Sequence, residues 1–135
     1  MGYDYKKIEK KWQDYWINEN FGICDLDSEK TKFYNLCMYP YPSGDLHMGH
    51  IRNYTLGDVI TRYKILKGFN VLSPMGWDSF GLPAENAAIQ TGIHPREFTE
   101  TRIEKMKSQI IQLGSIYDWD REVAVHSEDY YKWTQ

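Results

Sequence analysis

The chain has 135 residues, with 16 Lys plus Arg against 19 Asp plus Glu for a net charge of −3. That length bounds a single domain, and a hydrophobic share of 41% is enough for an ordinary core. The charge excludes the global basic field of nonspecific nucleic-acid binders, so any RNA contact rests on local geometry.

Cys24 and Cys37 fit neither a disulfide framework nor zinc-ligand spacing, which points to a reducing compartment. No apolar run approaches the roughly 18 residues of a membrane span, and the first residues are not signal-like. The expectation is a cytoplasmic protein without membrane association. Aromatic residues make up 16%, including 11 Tyr and 5 Trp, a composition that suits tight packing or a flat-walled pocket.

In chain order, Asp4 to about Asn18 reads as an amphipathic helix. Ile8, Trp12 and Tyr15/Trp16 recur at helical spacing, with lysines interleaved with Glu9 and Asp14. A polar, turn-rich stretch follows over 20–31. Lys32 to Tyr39 is a β-rich run, ended by Pro40, Pro42 and Gly44. A helix is expected from Met48 to Lys67, with Ile51, Thr55, Val59, Tyr63 and Leu66 as its stripe and Gly68 as its stop.

Val71 to Ser73 gives a short second strand, Pro74 to Pro83 an irregular loop, and Ala84 to Thr91 a short helix. Thr99 is the expected N-cap of a helix to Leu113, in which Ile103, Met106, Ile110 and Leu113 are evenly placed before Gly114. Arg121 to Val125 reads as a third strand, and Ser127 as the cap of a last helix.

Strands alternating with helices of this length imply crossovers and a largely parallel sheet. The fold class is therefore α/β: the first half of a Rossmann-like, doubly wound sheet over 32–135, preceded by a helix and linker over 1–31. Ligands of such sheets sit beyond the carboxyl ends of the strands, where Pro40 to His50 and Pro74 to Pro83 should lie.

The first of these loops carries His47-Met48-Gly49-His50, two imidazoles three residues apart where a helix begins. A helix N-terminus, two donors and a glycine that admits a ligand to the backbone suit a polyphosphate. His-x-x-His also matches part of a metal site, but His94, His126, Cys24 and Cys37 offer no supporting spacing, and no protein-bound metal is expected.

The preceding strand and the run Met38-Tyr39-Pro40-Tyr41-Pro42-Ser43-Gly44 place those histidines where a strand-to-helix crossover has its phosphate loop. The segment resembles the His-Ile-Gly-His signature of the class I aminoacyl-tRNA synthetases, with Met48 in place of isoleucine. Within that class, Pro40-Tyr41-Pro42-Ser43-Gly44 and Gly76-Trp77-Asp78-Ser79-Phe80-Gly81-Leu82-Pro83-Ala84-Glu85 resemble the leucyl enzymes. Isoleucyl and valyl enzymes have His where Phe80 stands. The likeness continues through His50-Ile51-Arg52-Asn53-Tyr54 and Tyr117-Asp118-Trp119-Asp120-Arg121-Glu122, nearly the whole chain.

The resemblance implies ATP-dependent activation of leucine and its transfer to tRNA(Leu), with Mg2+ accompanying ATP. It implies that His47, Gly49 and His50 bind ATP, with His47 and His50 catalytic. Asp78 then holds the leucine ammonium, and Met38, Tyr39 and Tyr41 surround the amino acid. Trp77, Phe80 and Glu85 receive no role.

The family's second ATP signature, Lys-Met-Ser-Lys-Ser, is missing from these residues, as are editing and anticodon-binding regions. The expectation is a fragment that leaves a sheet edge for the C-terminal part of a synthetase. The alternatives are an isoleucyl or valyl-type fragment, a non-catalytic ATP-binding module, or a partner-binding fragment.

Overall fold

The sheet grows from one strand that the sequence breaks in two. In the computed structural model, which describes residues 2–135, β2 (Asn70–Leu72) and β3 (Pro74–Trp77) follow each other with only Ser73 between them. β1 (Lys32–Tyr34) pairs parallel to β2, with Phe33 opposite Val71. β4 (Asp118–Ala124) pairs parallel to β3, with Gly76 opposite Val123 and a register shift between Pro74 and Gly76. The Asp118 N–H donates to the Ser73 carbonyl at 2.8 Å, so the two pairings form one parallel arrangement with β2/β3 in the middle. Among the described residues the outer edge of β1 has no strand partner.

β3 lies where an irregular loop was expected. Proline and glycine ordinarily break strands, but both have a place here. Pro74 opens β3 beside the register shift, where a missing N–H is tolerated. Gly76 lies under the Tyr39 ring, whose Cε2 would be 2.4 Å from an added Cβ. β1 is correspondingly shorter than the expected run to Tyr39: after the Asn35 N–H donates to the Leu72 carbonyl at 2.9 Å, the chain leaves the sheet.

α2 (Met48–Leu66) connects β1 to β2, and α4 (Pro95–Leu113) connects β3 to β4. Both pack into one buried cluster of Cys37, Tyr54, Met75, Trp77, Met106, Ile110 and Tyr117. The expected stripe on α2 is not its buried face: Val59, Tyr63 and Leu66 are exposed, and Tyr54, Gly57 and Thr61 are buried. Small and polar residues bring this helix close. An added Cβ on Gly57 would lie 2.2 Å from Cys37 Sγ, and Thr61 Oγ1 accepts from Asn35 Nδ2 at 2.8 Å. Hydrophobic spacing cannot reveal an interface made this way.

α3 (Leu82–Thr91) starts two residues earlier than expected, because Pro83 is compatible with a first helical turn. α4 starts a turn earlier too. Its cap is His94, whose side chain accepts from the Arg96 N–H at 3.3 Å, while Thr99 is buried within the helix. β4 likewise begins three residues before Arg121.

α1 (Tyr5–Asn18) is capped by Asp4 and buries no residue fully. It is held through Gln13, which donates to the Gln112 carbonyl at 2.9 Å, and Trp16, over which Arg62 lies 4.1 Å from the ring centre. Ser127 precedes the short α5 (Glu128–Tyr131), as expected, without a side-chain cap bond. No described helix is long and apolar enough to cross a membrane.

Candidate active site

Beyond β1 the chain passes under α2, with Cys37, Pro40 and Pro42 buried. α4 then holds the loop from outside. Gln109 Oε1 accepts the Leu46 N–H at 3.1 Å, and Asp45 pairs with Lys105 at 2.8 Å. These contacts deliver His47 to the N-cap of α2 with its backbone extended.

There the two histidines cap the helix reciprocally. His47 Nδ1 accepts the Gly49 N–H at 3.1 Å, and His50 Nδ1 accepts the His47 N–H at 3.3 Å. Their rings stack with centres 3.9 Å apart, and His50 stacks in turn on Tyr54, nearly parallel with centres 5.9 Å apart. Tyr54 is fully buried, and its hydroxyl donates to the Met38 carbonyl at 3.3 Å.

An accepting Nδ1 carries no proton, so each neutral imidazole holds its hydrogen on Nε2. Burial keeps His50 below the ordinary histidine value, and the neighbouring His47 lowers it further. The pair therefore offers two N–H donors at a helix N-terminus, where anions are stabilised. The capping bonds fix the tautomer in which both Nε2–H groups are left to donate elsewhere.

Gly49 has a further reason besides the expected approach of a ligand. An added Cβ would sit 2.9 Å from the His47 Cε1, so the glycine makes room for the histidine ring itself.

The second loop leaves β3 beside the first. The Asp78 N–H donates to the Pro40 carbonyl at 3.0 Å. Asp78 and Tyr41 line one narrow crevice of about 10 Å³ between the loops, with Pro42, Ser43 and Phe80. The half-buried Asp78 carboxylate has no side-chain hydrogen bond or ion pair among the described residues. Tyr39 lies over Gly76, its hydroxyl pushed up by burial first and by Tyr34 and Tyr130 second. Met38 turns its side chain to solvent, 67% exposed, and only its carbonyl is bound into the fold.

The structure thus brings His47, Gly49 and His50 together on one helix end, and Tyr41 and Asp78 together in one crevice. Trp77, unassigned from sequence, is fully buried and donates Nε1–H to Glu122 at 2.6 Å; Glu122 also pairs with Lys107. Tyr54 is the support beneath His50, which its i+4 position would have signalled. No group of three or more potential metal ligands converges among the described residues.

The sequence pattern described as tRNA synthetases class I (I, L, M and V) matches residues 11–134. The chain belongs to the class I tRNA synthetases. Among similar members, the leucine–tRNA ligase of Fusobacterium nucleatum subsp. nucleatum is 58% identical over 134 residues, 98% of this chain and 16% of that protein. That of Nitratidesulfovibrio vulgaris strain DP4 is 54% identical over all 135 residues, again 16% of its length.

A solved structure, the ternary complex of Agrobacterium radiobacter K84 agnB2 LeuRS with tRNA and LeuAMS, superposes with a TM-score of 0.92 at 48% identity. It covers 96% of this chain and 16% of that one. The chain therefore spans about 16% of the length of the relatives it matches. At this identity and overlap the class I synthetase fold holds throughout, and the parallel strands with crossover helices are its Rossmann-like sheet.

Proposed function

We propose that this chain supplies the phosphate-binding and ammonium-binding side of a leucine–tRNA ligase active site. The observation that carries the reading is the reciprocal His47–His50 cap, which uses each Nδ1 as an acceptor and so leaves two Nε2–H donors at the start of α2. The identity to leucine–tRNA ligases, from 53% to 58%, supports leucine over the related amino acids.

In that reaction a leucine carboxylate oxygen attacks the α-phosphorus of ATP, the bond to the β-phosphate oxygen breaks, and pyrophosphate leaves. A ribose hydroxyl of the tRNA end then attacks the leucyl carbonyl and releases AMP. No protein nucleophile is needed, so the protein's work is positioning and charge stabilisation. His47 and His50 stabilise phosphate charge, with Gly49 admitting the His47 ring, and Mg2+ arrives with ATP. Asp78, whose carboxylate is otherwise unpaired, holds the leucine ammonium, and Met38, Tyr39 and Tyr41 border the amino acid.

Residues 32–135 form the nucleotide-binding part and 1–31 an accessory helix and linker. The free edge of β1 takes a strand from the rest of the synthetase, which provides the remaining ATP contacts. The protein works in the cytoplasm with tRNA(Leu).

The test is leucine-dependent ATP–pyrophosphate exchange by the protein as its gene specifies it, with isoleucine and valine as competitors. His50→Gln keeps a capping side chain without an imidazole. Exchange should be specific to leucine and fall sharply in that variant. No leucine-dependent exchange, or an undiminished rate in His50→Gln, would sink the reading.

A further inference from the structure

His126 enters none of the roles above, yet it makes a close contact to the second loop. It follows the carboxyl end of β4, 47 residues from Ser79, and its Nδ1 lies 2.6 Å from Ser79 Oγ. Ser79 is 4% exposed, and its Oγ also lies 3.1 Å from the Trp77 carbonyl. One hydroxyl proton serves one acceptor. The arrangement that satisfies both contacts has His126 Nδ1–H donating to Ser79 Oγ and Ser79 O–H donating to the Trp77 carbonyl. That carbonyl accepts the Val125 N–H at 3.1 Å as well, so the end of β3, the loop and the end of β4 share one junction.

Ser79 and His126 together border an open cavity of about 410 Å³, whose other walls include Phe80, Glu85 and Arg96. Phe80 is 67% exposed, and Gly81 turns the chain at a φ of 124°. Asp78 is thus fixed at its N–H by Pro40, and the residue after it is fixed by His126. Burial holds His126 below the ordinary histidine value, Glu100 opposing and Arg96 reinforcing, which suits a neutral ring with one proton to donate.

The geometry points to His126 as a positioning residue for leucine binding: through Ser79 it sets the backbone that aims the Asp78 carboxylate at the substrate ammonium. This rests on the leucine–tRNA ligase reading. A contact between residues 47 apart has no local signal, and His126 is otherwise only an isolated histidine in the sequence.

The experiment is steady-state leucine-dependent ATP–pyrophosphate exchange on the protein as its gene specifies it, reading KM for leucine and for ATP separately. Losing one neutral hydrogen bond that acts on substrate placement should raise the leucine KM about three- to tenfold in His126→Ala, with the ATP KM unchanged. Ser79→Ala should give a similar rise. The double variant should be no worse than either single one, because both break the same link. His126→Asn, which can place an amide N–H where Nδ1–H stood, should recover most of the loss.

A wild-type protein without leucine-dependent exchange overturns both this assignment and the reading beneath it. Wild-type exchange with an unchanged leucine KM in Ser79→Ala and His126→Ala overturns the positioning role alone. Parallel rises in both KM values, additive effects in the double variant, or no rescue by asparagine do the same.

Discussion

The two loops that form the site orient their key residues in different ways. The first, Pro40 to His50, is steadied from outside by Gln109 and Lys105 of α4, but its histidines orient each other through capping bonds between residues two and three apart. The second, Trp77 to Gly81, is held by partners 45 and 47 residues away, Glu122 and His126. A phosphate site can be local because a helix N-terminus already supplies its donors and dipole. An ammonium site needs one carboxylate at one place, and only the surrounding fold can put it there.

The sharpest way to break the first half of this contrast is His50→Gln. Removing one charge-stabilising donor should lower leucine-dependent exchange about 10²–10³-fold. Thermal stability should stay near wild type, because glutamine can accept the same backbone N–H. A large fall in melting temperature would mean that the imidazole stack, rather than the cap, holds the loop.

For the second loop the matching change is Glu122→Leu, which leaves the Trp77 indole N–H buried without its acceptor and should cost about 1–3 kcal/mol. Urea unfolding reads that loss, and leucine KM should rise with it. Gly57→Ala tests the close approach of α2 to Cys37. Overpacking of this kind costs about 1–3 kcal/mol, and Cys37→Ala in the same chain should recover part of it by removing the opposing sulfur.

The smallest expected effect is on pH. His50 titrates below the ordinary histidine value of about 6.5, so the unfolded chain binds its proton first as pH falls. Stability linked to this group is intact above about pH 6.5, declines as pH drops toward the folded value, and changes no further below it. Melting curves from pH 7.5 to 5 should show a shallower decline in His50→Gln than in wild type.

The same contrast explains how much could be read beforehand. The His47–His50 spacing, the crossover order and the start of α2 were all legible, because each depends on residues close in sequence. The Pro74–Trp77 strand was not, since Pro74 and Gly76 signal a turn unless one knows that a register shift accepts the first and the Tyr39 ring requires the second. The exposed Val59 and Tyr63 and the buried Gly57 and Thr61 fail for a related reason. Periodicity counts apolar residues, whereas this interface is set by closeness and hydrogen bonds.

By itself, the sequence determined the α/β order and the placing of His47 and His50 at the start of α2, because local bonding rules act over a few residues, and its motifs carried the resemblance to the family. The tertiary structure alone decided that β2 and β3 act as one central line. It also decided that Trp77 is buried in the core, that the Asp78 N–H bonds the Pro40 carbonyl, and that the next residue, Ser79, meets His126. Those outcomes depend on bringing together residues some 40 positions apart, which only the packed sheet and its helices accomplish.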